Sequence, residues 1–129
     1  MLTQQQIHEF KMLLEQRYRE VREIIRQALM RSDEQSYIEL AGQVQDMENS
    51  SVADLLVDVA LAEIDRHVAE IRDIDAALLR IAAGSYGVCT DCDEAIEVKR
   101  LEAYPTAKRC RPCQTNYENR SASPKRTSL

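Results

Sequence analysis

The sequence predicts a mainly α protein, a long antiparallel coiled-coil helical hairpin that ends in a small C-terminal four-cysteine module. Three observations lead there. The 129 residues hold only three Gly and three Pro, and a single Phe and no Trp, too few aromatics for a wide core. Two segments carry apolar residues at helical spacing over three to four heptads. All four cysteines fall together near the C-terminus.

The first helix is expected from about Thr3 to Leu29. Ile7, Phe10, Leu14, Val21, Ile24 and Ala28 fall on a and d of a heptad, with Arg17 as a polar intrusion, and Leu13, Tyr18, Ile25 and Leu29 widen the stripe. Ser32 followed by Gln35 resembles a capping box, so a break near Arg31 is expected. The second helix is expected from about Val52 to Ala83, capped by Ser50 or Ser51. There Val57, Ile64, Ile71 and Leu78 step by seven, Leu61, Val68 and Ala82 lie between them, and Asp75 interrupts the second row. Helices of matching stripe length in one short chain fold back on each other most simply as a hairpin. Residues 1–83 would form that hairpin, with its tip near 46–50. Gly84 is a natural helix terminator. Residues 84–118 would form the cysteine module, and 119–129, poor in apolar residues, a tail without regular structure.

The cysteines follow the pattern C-x2-C, 17 residues, C-x2-C. Two knuckles of two thiolates supply the closed tetrahedral shell of a structural zinc, which makes Cys89, Cys92, Cys110 and Cys113 the ligands of one ion and residues 84–118 a zinc-finger module. Paired disulfides would require an oxidising compartment, and no apolar signal region opens the sequence. A redox C-x-x-C occurs once in its usual setting, whereas here the motif occurs twice. A closed four-thiolate shell leaves no position for water or substrate. His8 and His67 lie far from the cysteines, and no triad or phosphate-binding loop is present, so an enzyme is not expected.

Charge is unevenly distributed. Residues 1–95 hold 19 acidic and 9 basic residues, and residues 96–129 hold 3 and 8. Between Asp33 and Asp75 twelve carboxylates face only Arg66 and Arg72, a segment that would repel nucleic acid and favour a basic or metal-bearing surface. Lys99, Arg100, Lys108, Arg109 and Arg111 make a basic patch around the cysteines. That patch supports one alternative, a nucleic-acid-binding zinc module. Another is a thiol redox or metal sensor acting on transcription. No run of apolar residues is long enough to span a membrane, so a cytoplasmic protein without membrane contact is expected, as a monomer.

The run GSYGVCTDCDEAIEVKRLEAYPTAKRCRPCQ, Gly84 to Gln114, resembles the zinc module of the DksA/TraR family of bacterial transcription regulators. The G-x-Y-G-x-C-x-x-C opening, the R-L-E-A-x-P-T-A segment from Arg100 to Ala107 and the second C-x-x-C carry the likeness, which weakens toward the N-terminus. The resemblance implies binding to RNA polymerase, not DNA, with the hairpin tip inserted through the secondary channel toward the active-site magnesium. It places the acidic tip on Asp46 and Asn49, with Glu48 as a substitute for the carboxylate missing at Asn49, and a polymerase-contacting arginine on Arg66. The family's ppGpp-contacting positions fall on Asp73, Tyr104 and Gln114, none of them basic, which implies weak or absent ppGpp synergy.

Overall fold

The computed structural model describes residues 2–47 and 52–127. Among these, six helices run in the order α1 (Gln4–Arg31), α2 (Gln35–Asp46), α3 (Val52–Leu55), α4 (Ala62–Ala83), α5 (Val98–Ala103) and α6 (Arg111–Thr127). The only strand-like pairing among them is an isolated bridge between Val88 and Ala95. The mainly helical class and the C-terminal cysteine module are as the sequence predicts.

α1 opens on a capping box. Thr3 Oγ1 accepts the Gln6 N–H at 3.0 Å, and Gln6 Oε1 accepts the Thr3 N–H at 2.9 Å, satisfying two of the helix's orphan donors. Its buried stripe is Phe10, Leu14, Tyr18, Val21, Ile25 and Ala28. Leu14, Val21 and Ala28 step by seven, as do Tyr18 and Ile25, so the seam keeps a heptad period with 18 and 25 in place of 17 and 24. Ile24, assigned to the heptad, is therefore 38% exposed, and Ile25 takes its place at 0%. α4 runs antiparallel to α1 and buries Ile64, Ile71, Ile74 and Ala77. Arg17, the polar intrusion, reaches across this seam to grip Glu70 with two hydrogen bonds of 2.6 and 3.0 Å. Arg31 pairs with Glu63 at the far end. All four side chains are a third or more exposed, so these pairs fix register more than they add stability.

Three expectations need correction. The break at residue 32 is present, but it is a reversal. Ser32 Oγ accepts the Glu34 N–H at 3.1 Å, which diverts the backbone from the helix, and the residue preceding α2 is Glu34, so no Ser32–Gln35 box forms. α2 then returns along α1, and Arg22 Nη1 donates to the Met47 carbonyl oxygen at 2.9 Å. The chain therefore turns at 32–34, and Asp46, at the end of α2, lies alongside the middle of α1 instead of at the rod's end. Glu48 and Asn49 lie outside the described residues.

The second correction concerns the helix expected from Val52 to Ala83. α3 is a single turn, and 56–61 is turn and extended chain before α4 begins. Burying Leu56 at 3% exposure turns Val57, which was assigned to the heptad row, out to 61%. Val57, Asp58 and Val59 are poor helix formers, which makes this the place to break. At the C-terminus, α6 continues to Thr127, where a tail without regular structure was expected from 119. No Gly or Pro interrupts the chain between Gln114 and Ser123, and Gln114 Nε2 bonds Glu118 Oε2 one turn on.

Candidate metal centre

α4 delivers the chain to the cysteines through a left-handed cap. Gly84 has φ 79°, and the N–H groups of Ser85 and Tyr86 both close on the Arg80 carbonyl, at 2.9 and 3.2 Å. Gly87, at φ 84°, packs so closely on Leu2 that an added Cβ would stand 2.7 Å from the Leu2 Cδ1. Between these glycines Tyr86 is buried, its ring 5.7 Å from Phe10 of α1 and its hydroxyl donating to the Pro105 carbonyl at 2.7 Å. Arg80 donates to the neighbouring Thr106 carbonyl at 3.2 Å. The R-L-E-A-Y-P-T-A segment thus presents two carbonyls that α4 and Tyr86 hold. Burial pushes the Tyr86 phenol up to about 12.

The first knuckle is closed by backbone bonds. The Cys89 N–H donates to the Glu94 carbonyl at 2.8 Å, the Asp93 N–H to the Cys89 carbonyl at 3.0 Å, and the Ile96 N–H to the Gly87 carbonyl at 2.8 Å. Asp93 takes φ 63° to complete the turn. The Asp91 N–H points at the Cys89 sulfur, 3.4 Å away. The second knuckle opens α6. Gln114 N–H donates to the Cys110 carbonyl at 2.9 Å, placing Cys113 in the first turn. Thr90 N–H to Lys108 carbonyl, 2.9 Å, ties the knuckles together.

All four Sγ atoms converge, every pair within 4.8 Å, with Cys92 and Cys110 at 3.7 Å. A tetrahedral zinc with bonds of about 2.3 Å needs sulfurs about 3.8 Å apart, whereas a disulfide needs about 2.05 Å. All four cysteines are free. The donor set and spacing fit zinc. Burial alone would raise the Cys89 thiol, but N–H groups from Cys110, Cys92 and Asp91 outweigh it and bring the thiol down to about 6. Hydrogen bonding with Cys110 and Cys92 pushes Cys113 up. A dication at the centre resolves that crowding by stabilising all four thiolates.

The basic patch is smaller than its sequence suggests. Arg100 Nε donates to the Arg109 carbonyl at 2.9 Å, and Arg109 pairs with Asp91 at 2.9 Å, its side chain only 14% exposed. Lys99, Lys108 and Arg111 stay exposed. Arg66 and Asp46 are exposed but belong to the helical half, far in the chain from the cysteines. His8 is exposed, and His67 is half-buried with an unpaired Nδ1. Neither joins the cysteine cluster. Sequence reasoning missed Tyr86 and Arg80 as the residues that dock the module. An aromatic between two glycines at a helix end was the available signal. Among the described residues, no helix is long and apolar enough to cross a membrane.

A profile of the prokaryotic dksA/traR C4-type zinc finger matches residues 84–119. The chain is similar to an uncharacterized 8.2 kDa protein of Escherichia phage P2, 39% identical over 57 residues, 44% of this chain and 77% of that protein. It is similar to the RNA polymerase-binding transcription factor DksA of Caulobacter vibrioides, 45% identical over 56 residues, which span 43% of this chain but 39% of that longer relative. The fold is similar to that of transcription factor DksA2 from Pseudomonas aeruginosa, with a TM-score of 0.64 and 26% identity over 92% of this chain and 87% of the other.

Proposed function

Because this chain belongs to the DksA/TraR family of C4-type zinc-finger proteins, we propose that it is a non-enzymatic transcription regulator that binds RNA polymerase. The observation that carries this reading is the pairing of that family's zinc module with a family-like fold along nearly the whole chain. The zinc is structural. Its four thiolates fill the coordination shell, so its work is to hold the base of a rod whose longest helix, α1, measures about 42 Å.

In this proposal the rod enters the polymerase secondary channel and its carboxylates alter promoter complexes near the catalytic magnesium. Asp46, Glu48, Asn49 and Arg66 are the contact residues. For Asp46 to lead, α2 must part from α1 at 32–34 and continue its axis. Three features support such a change. Residues 32–61 contain no Pro and only Gly42, so no proline ring bars helix across either break. α2 buries only Ala41 and Val44. Among the described residues, the side-chain hydrogen bond at its end is Arg22 to the Met47 carbonyl. ppGpp adds little in this proposal, since Asp73 is acidic, Tyr104 is neutral, and Gln114 is engaged with Glu118.

The test is promoter-complex lifetime with purified polymerase. Asp46→Asn and Arg66→Ala should each abolish the protein's effect, and Asp33→Asn should leave it intact. The reverse pattern would place the acting carboxylate at the 32–34 turn and keep α2 folded against α1. No binding of the zinc-loaded protein at micromolar concentration would sink the reading altogether.

A further inference from the structure

Arg109 occupies a position that zinc ligation alone does not explain. It precedes Cys110, and its Nε donates at 2.9 Å to Asp91, which lies between Cys89 and Cys92. Its guanidinium lies over the Tyr117 ring of α6, 3.9 Å from the ring centre. Its carbonyl accepts from Arg100. One side chain thus touches the first knuckle, adjoins the second in sequence, and stacks on the helix that carries Cys113.

We infer that Arg109 is a positioning residue that clasps the two zinc knuckles together and docks helix α6 on them. The chemistry suits the role. A Zn2+ with four thiolates carries two net negative charges, and Asp91 adds a third, so a cation held beside the knuckles offsets their repulsion. Asp91 also sends its N–H to the Cys89 sulfur, so fixing the Asp91 carboxylate steadies a donor to a ligand. A guanidinium does this better than an ammonium because it forks to a carboxylate edge-on while stacking face-on. Tyr117 lies four residues after Cys113, one turn along α6, so the stacked ring and the ligand move as one body. The consequence is coupling: losing the clasp loosens zinc, and losing zinc undocks α6.

This inference rests on the zinc site and is independent of polymerase binding. The experiment is zinc release from the full-length, zinc-loaded protein to a chromophoric chelator, with amide exchange followed over residues 113–120. Arg109→Ala is expected to speed release about tenfold and to raise exchange across that stretch. Arg109→Lys should fall between it and the parent, Tyr117→Phe should match the parent, and Tyr117→Leu should approach Arg109→Ala. Asp91→Asn combined with Arg109→Ala should add little to either alone. Parent-like release in both Arg109→Ala and Tyr117→Leu would overturn the clasp. So would faster release without increased exchange in α6. If Arg109→Ala does not fold, the Lys, Phe and Leu variants decide the question alone. A parent protein that binds no zinc would remove the metal site itself, a failure distinct from that of the clasp.

Discussion

The zinc end and the helical half of this molecule are built by different kinds of constraint. At the zinc end nearly every turn is imposed by a residue with a special requirement. Gly84 and Gly87 take positive φ, four thiols share one centre, and Tyr86 and Arg80 close on the Pro105 and Thr106 carbonyls. In the helical half, residues 32–61 have one Gly and no Pro, and apolar spacing directs most of the packing, with the Ser32–Glu34 turn and the Arg22–Met47 bond beside it. A chain of the first kind has one low-energy arrangement. In the second kind the arrangement is decided by tertiary contacts, here those of α2 and α3.

The largest effect that would break this contrast comes from removing the metal. Chelation, or Cys89→Ser with Cys110→Ser, is expected to abolish amide-exchange protection across residues 85–115 while α1 and α4 stay helical by circular dichroism. Unchanged exchange there would mean that the module is held by its packing and not by its ion. Next in size is the seam of the rod. Ile71 and Val44 are both fully buried, and Ile71→Ala should cost about 3 kcal/mol in denaturant unfolding, against about 2 kcal/mol for the smaller Val44→Ala in α2. Equal costs would show α2 to be as firmly seated as α4. Smaller again is Tyr86→Phe, which keeps the ring on Phe10 and leaves the Pro105 carbonyl without its donor, at about 1 kcal/mol.

The smallest effect is electrostatic and lies where α3 meets α4. Burial, and then the nearby charge of Asp54, raises the Asp75 carboxyl above its ordinary 3.8. The folded state therefore favours the protonated acid. The destabilisation is absent below the ordinary carboxylate range and develops as pH rises through the raised value. Asp75→Asn should raise Tm by about 2 °C at neutral pH and have no effect near pH 3. Tyr18 faces the same carboxylate, so a loss of stability at neutral pH would reveal a contact with Asp75 that outweighs the repulsion.

What was legible in the sequence follows the same division. The four ligands, the Gly84 terminator and the start at Thr3 could all be read, because each depends on a residue's own chemistry, and Ser32 marked a break near Arg31 without settling it. The direction of the chain after Ser32 could not. A capping residue marks where a helix stops, but only the contacts of α2 decide whether the next helix continues or returns. Ile24 and Ile25 could not be ranked either, since residues three and four beyond Val21 lie on the same face of a helix. Arg109 read as part of a basic patch because its partners, Asp91 and Tyr117, stand eighteen and eight residues away.

Direct binding of the zinc-loaded protein to purified RNA polymerase, measured side by side with chelated protein by surface interferometry, tests the central claim most directly. The account predicts saturable micromolar or tighter binding by the loaded protein, lost on chelation and restored by one equivalent of zinc. Absence of binding by a protein shown to hold its zinc would contradict it.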